Sequence, residues 1–155
     1  MLNLIVLFLF TAALIPGQGA RHTYHRRVKP RRPSATLRIR STAELTRLVK
    51  NLRTQGATVA LTSEKVSQPF FSGASRIMNV NGQAVQVNQY AKASKLDREA
   101  SRVSSNGMTI GTSKPSWLST PHFYKTDKLI VLYVGDDQTI LRILQSALGK
   151  QFAGG

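Results

Sequence analysis

Arg76-Ile77-Met78-Asn79-Val80-Asn81-Gly82-Gln83-Ala84-Val85-Gln86-Val87 is the stretch that decides the fold. Asn-Gly between two alternating runs is the strongest short-range signal for a β-hairpin, because both central turn residues need positive φ. A two-residue turn pairs Val80 with Gln83 and Met78 with Val85. That register places Met78, Val80, Val85 and Val87 on one face, as a half-buried hairpin requires. The chain is therefore read outward from this hairpin as sheet-forming.

Upstream, Ser41-Thr42-Ala43-Glu44 matches a capping box, and Leu45, Leu48, Val49 and Leu52 follow at helical spacing. Gly56 suits the helix C-terminus, and residues 57–62 (ATVALT) read as a strand. Downstream, residues 93–104 form a weaker amphipathic helix with Ala93, Leu96, Ala100 and Val103 on one side, boxed at its start by Ser94 and Asp97. Met108–Thr112 and Ser116–Ser119 read as short strand pieces around Pro115. Leu129–Val134 (LIVLYV) is an unbroken apolar run, the pattern of a central strand buried on both faces. Gly135-Asp136-Asp137 then turns the chain into a last helix with Ile140, Leu141, Leu144 and Leu148 on its apolar side, and Gly149 closes it. The order α-β-β-β-α-β-β-α predicts one α+β domain over residues 41–155, with an antiparallel or mixed sheet and helices packed on one face.

Ahead of this domain lie two segments of different character. Leu4–Ile15 is an apolar, uncharged run, shorter than the roughly 20 residues needed to span a bilayer. With Pro16-Gly17-Gln18-Gly19-Ala20 behind it, residues 1–20 read as an export signal cleaved after Gly19 or Ala20. The alternatives are an uncleaved membrane anchor, or a mis-assigned start or buried segment, since no Lys or Arg precedes the run and basic residues follow it. Residues 21–40 read as a basic disordered linker rich in Arg and Pro. Eight of the 22 basic residues fall in residues 1–40 with no acidic residue beside them, so about half of the net charge of +15 belongs to this tail. Arg21, Arg26, Arg27, Lys29, Arg31 and Arg32 are its candidate polyanion-binding residues, with acidic envelope polymer, anionic lipid or nucleic acid as partner. The competing reading is a solvated spacer.

The chain has no cysteine. Disulfide frameworks, thiol catalysis and Cys-ligated metal sites are thereby excluded. His22 and His25 stand at i and i+3 but in a cationic segment with no third ligand, so no metal site is expected there. No nucleophile elbow, phosphate-binding glycine loop or zinc-protease motif is present, and no cofactor is predicted. Tyr133-Val134-Gly135-Asp136-Asp137 is similar to the two-carboxylate turn of RNA-copying polymerases. An amphipathic helix follows here instead of a strand, so Asp136 or Asp137 is read as the cap of that helix. Trp117, His122, Phe123 and Tyr124 are the candidate binding residues: an aromatic cluster with a histidine suits a small-ligand pocket, or an acid/base site if a carboxylate lies near. The plainer reading is a packed strand.

Taken together, Gln68-Pro69-Phe70-Phe71-Ser72, Val80-Asn81-Gly82 with Val85-Gln86-Val87, Pro121-His122-Phe123-Tyr124 and Leu129–Asp137 form a pattern that Leu148-Gly149 and Gln151-Phe152-Ala153-Gly154 complete. This pattern resembles a family of small bacterial secreted proteins and lipoproteins of uncharacterised function, over residues 43–155. Such proteins begin with a signal peptide that often ends in a lipid-modified cysteine, which this chain lacks. The resemblance implies export to the periplasm, envelope or medium and supplies no reaction. Three functions follow as expectations: an exported, non-enzymatic binding domain of the bacterial envelope, a nucleic-acid-binding protein using the Arg-rich tail, and a small hydrolase using His122.

Overall fold

The computed structural model describes residues 35–66 and 69–155. The apolar run, His22, His25 and the candidate tail residues Arg21, Arg26, Arg27, Lys29, Arg31 and Arg32 lie outside the described residues. Among the described residues no helix is long and apolar enough to cross a membrane.

The hairpin sits where its sequence places it. Strands β2 (Ala74–Val80) and β3 (Gln83–Gln89) pair antiparallel with Val80 opposite Gln83 and Met78 opposite Val85. Asn81 has φ 49° and Gly82 φ 87°, the two positive values such a turn demands. The Asn79 carboxamide accepts from the Gly82 amide at 2.8 Å. Met78, Val80, Val85 and Val87 are all buried on one face.

Helix α1 (Ala35–Thr54) precedes strand β1 (Val59–Val66), which pairs antiparallel with β2. The buried stripe of α1 is Leu45, Leu48, Val49 and Leu52, as its spacing predicts. Its start differs from expectation. Helix begins at Ala35, so residues 35–40 are not linker and Ser41 is no cap. Ala, Leu and Arg favour helix, and no breaker stands between Pro33 and Gly56. Glu44, expected to reach back to a cap, is instead buried and pairs with Lys128 Nζ at 3.6 Å.

Helix α2 (Ala93–Ala100) is shorter than its pattern suggested. Lys92 occupies the N-cap position without a side-chain cap, so the Ser94–Asp97 box does not form. Asp97 pairs with Lys125 instead, at 3.2 Å. Residues 108–119 form no strand; Ile110 makes isolated bridges to Val103 and Ser113. The strand expected there lies later, as β4 (Pro121–Thr126), followed by β5 (Leu129–Val134), α3 (Gln138–Leu148) and a short β6 (Ala153–Gly154).

The six strands form one antiparallel sheet in the order β1-β2-β3-β5-β4-β6, giving an α+β domain. The helices divide between its faces. Leu129, Val131 and Tyr133 of β5 join the core built with α1 and α3, while Ile130 and Leu132 join a second core with Leu96 and Ala100 of α2. Alternation along a strand forces this split, and it explains why LIVLYV is apolar throughout. The expectation of helices on one face is corrected by α2, which completes the cover on the other side of β5.

Candidate functional site

The period of β4 separates the four residues singled out in sequence. Phe123 points into the α2-side core and Trp117 packs on it, edge to face, at 6.0 Å. Phe70 and Phe71 extend this aromatic cluster, and the Trp117 indole donates to the Gly107 carbonyl at 3.0 Å. His122 and Tyr124, one residue to either side of Phe123, face the opposite way. Both line a cleft of about 310 Å³ between β4 and α3, with Gln138, Leu141, Arg142 and Gln145 of α3 and Lys150 and Gln151 beyond it. That size falls in the range of small-molecule sites, roughly 300–1,000 Å³.

Each wall of the cleft has a local cause. Asp137 caps α3, its Oδ1 accepting from the amides of Thr139 at 2.8 Å and Ile140 at 3.2 Å. Helix α3 buries Ile140 and Leu144 against the sheet, so residues 138, 141, 142 and 145, one flank away, face the cleft. The far wall is the C-terminal segment. Phe152 N donates to Phe123 O at 2.8 Å, and β6 pairs with β4 through His122–Gly154 and Phe123–Ala153. Gly154, at φ 86°, lies so close to β4 that a Cβ there overlaps the Pro121 carbonyl oxygen.

His122 is held rather than free. Its ring stacks on Tyr133 with centroids 6.1 Å apart, and Nδ1 lies 2.8 Å from Gln151 Oε1. Gln151 Nε2 donates to the Gly154 carbonyl at 2.8 Å, which orients the carboxamide with its oxygen toward the imidazole. Nδ1 therefore carries the proton, and in the neutral ring Nε2 is left with a lone pair. Nε2 is buried and has no hydrogen-bond partner among the described residues. Burial pushes the Tyr124 hydroxyl up from its ordinary value, so it stays protonated at physiological pH.

Positive charge dominates the cleft. Arg142 and Lys150 line it, no carboxylate does, and neither cation joins an ion pair among the described residues. The carboxylate nearest in function is Asp136. It accepts from the Ser119 hydroxyl, and hydrogen bonds from Ser119 and Thr120 hold its carboxyl below the usual range, with a smaller contribution from His122. The imidazole's own partner is an amide, so His122 and Asp136 do not form an acid/base dyad. Three carboxamides, two cations, a hydroxyl and a histidine suit binding of an anion that also carries hydroxyls.

Among the described residues no group of three or more His, Cys, Asp or Glu side chains could hold a metal ion. Sequence reasoning missed Gln138, Arg142, Gln145, Lys150 and Gln151. A signal was present: 138, 141, 142 and 145 follow helical spacing beside the apolar stripe of α3. No protein-family model matches the chain, no curated protein matches it, and no solved structure matches it.

Proposed function

We propose that the chain is an exported, non-enzymatic binding domain of the bacterial cell envelope that holds an acidic, hydroxyl-bearing ligand, such as an acidic glycan, in the cleft between β4 and α3. The observation that carries this reading is the cleft lining: Arg142 and Lys150 with Gln138, Gln145 and Gln151 and, among the described residues, no carboxylate. Cationic and carboxamide donors together match carboxylate and hydroxyl acceptors. The export part rests on the apolar run 4–15 and on the resemblance to small bacterial secreted proteins. The basic tail at residues 21–32 would add a second, weaker attachment to the same polymer.

The test is calorimetric binding of oligogalacturonate to the full chain, to an Arg142→Glu/Lys150→Glu variant, and to a variant with the six tail cations replaced by Gln. Hydrogen bonds to charged groups are worth about 1.5–3 kcal/mol each, so the cleft variant is expected to lose affinity by at least about tenfold. Affinity lost only in the tail variant overturns the cleft as the site. The net charge of +15 favours a second reading, nucleic-acid binding. That reading predicts tighter binding of single-stranded DNA than of glycan, falling steeply with salt. Export is tested by N-terminal mass of the native protein in separated cell fractions. An intact Met1 in the soluble cytoplasm contradicts it.

A further inference from the structure

At the other end of the sheet, a second concave surface stands apart from the cleft and does not depend on its reading. Strand β1 is the terminal strand of the sheet, and a groove of about 650 Å³ runs beside it. Helix α1 contributes Thr46, Val49, Lys50, Arg53 and Thr54 to the groove, and β1 contributes Val59, Ala60 and Leu61. Leu61 is 49% exposed, one of few large apolar side chains left in water.

The direction of the backbone at this edge follows from the pairing. Asn81 N donates to Thr58 O at 2.9 Å, so Thr58 faces β2. Peptide groups alternate along an antiparallel strand, so Val59 and Leu61 turn their N–H and C=O groups outward. The Val59 carbonyl receives Arg53 Nη2 at 2.8 Å. A guanidinium thus sits where the N–H of an added strand would otherwise bond, and its remaining donors suit a carboxylate. Lys50, one turn earlier on α1, adds a second cation, and among the described residues no acidic one lines the groove.

We propose that the β1 edge and the α1 groove bind an extended acidic peptide by strand addition. The peptide backbone pairs with Leu61, and an apolar side chain enters the groove against Val49, Val59 and Leu61. A carboxylate, from a side chain or a chain end, meets Arg53 and Lys50. Main-chain pairing provides affinity in this mode and alternate side chains provide specificity. The irregularity in β1–β2 pairing between Leu61 and Lys65 bends the edge and keeps the added strand short. The charge of Lys50 and Arg53 favours an acidic occupant over a basic one such as the Arg-rich sequence 21–34.

The experiment is an amide chemical-shift titration of the full chain with a seven-residue peptide of alternating threonine and valine ending in two glutamates. Its lysine-ended counterpart serves as control. The expected result is saturable shifts at Val49, Lys50, Arg53, Val59, Ala60 and Leu61, with the lysine peptide weaker by at least about tenfold. Lys50→Glu, at an exposed helical position, is expected to narrow or reverse that preference, and Leu61→Lys to weaken both peptides while the spectrum stays folded. Equal binding of the two peptides, or acidic-peptide shifts that bypass β1, overturns the proposal. Concentration-dependent shifts at β1 without any peptide overturn it in favour of a second copy of the chain.

Discussion

Replacing Gln151 by leucine separates the geometry of the cleft from its charge. The side chain keeps its bulk but loses both hydrogen bonds, the one with His122 Nδ1 at 2.8 Å and the one to the Gly154 carbonyl at 2.8 Å. Gly154 is half-buried, so water can replace its partner at little cost. His122 is only 6% exposed and its Nε2 already lacks a partner among the described residues, so Nδ1 becomes a second orphaned buried atom on one ring. An unsatisfied buried donor costs about 1–3 kcal/mol, and that range is the expected loss of stability. Urea denaturation measures it, with a lower midpoint at unchanged slope. Imidazole nitrogen shifts provide the second readout. The wild-type ring holds its proton on Nδ1, and the variant loses that preference. A stability change below about 0.5 kcal/mol together with an unchanged tautomer would refute the assignment of Gln151 as the residue that positions His122.

Three further outcomes follow from individual contacts. Asp137→Ala removes the acceptor for two α3 amides and is expected to cost about 1 kcal/mol in denaturation; a neutral result would sink the capping assignment. Tyr90→Phe deletes a buried hydroxyl that has no partner among the described residues, so stability at pH 7 should hold or rise, by up to about 1 kcal/mol. Burial, then the nearby Glu99 carboxylate, raise the Tyr90 pKa above its ordinary 10.0. The unfolded chain therefore releases this proton first, and wild-type stability falls as pH climbs past 10.0 through a window that Tyr90→Phe should flatten. Gly154→Ala drives a Cβ into the Pro121 carbonyl and detaches β6; hydrogen exchange at the Phe152 and Gly154 amides should quicken while β2 and β3 stay protected.

The parts of the fold legible in the sequence are those set by neighbours along the chain. Asn81-Gly82 specifies its own turn, and the alternation of Met78, Val80, Val85 and Val87 specifies the register, so the hairpin needed no tertiary information. The doubly covered strand Leu129–Val134 was readable for the same reason, as was a cap at Asp136 or Asp137, which Asp137 provides. Three features were hidden, the first because distant partners decide it and the other two because local composition misleads. Glu44 and Asp97 look like local capping residues, yet Lys128 and Lys125 claim them in the folded chain. The early start of α1 was masked by Arg and Pro, whose composition resembles a linker although Ala35–Arg40 has good helical propensity. Strand β4 opens on Pro121 and shows four buried residues in a row rather than alternation.

The candidate site was half legible for a geometric reason. Trp117, His122, Phe123 and Tyr124 are close in sequence, but a strand sends adjacent side chains to opposite faces. His122 and Tyr124 reach the cleft, while Phe123 and Trp117 belong to the aromatic core. The cations and carboxamides that complete the cleft come from α3, brought alongside by burial of Ile140 and Leu144, and from the C-terminal segment, brought alongside by β4–β6 pairing. No window around His122 contains them.

The most direct test of the binding account is an amide chemical-shift titration of the full chain with oligogalacturonate at physiological salt. The account predicts saturable shifts clustered at His122, Tyr124, Gln138, Arg142, Gln145 and Gln151. Shifts confined to residues 21–32, or none at the cleft when the ligand is bound, would contradict it.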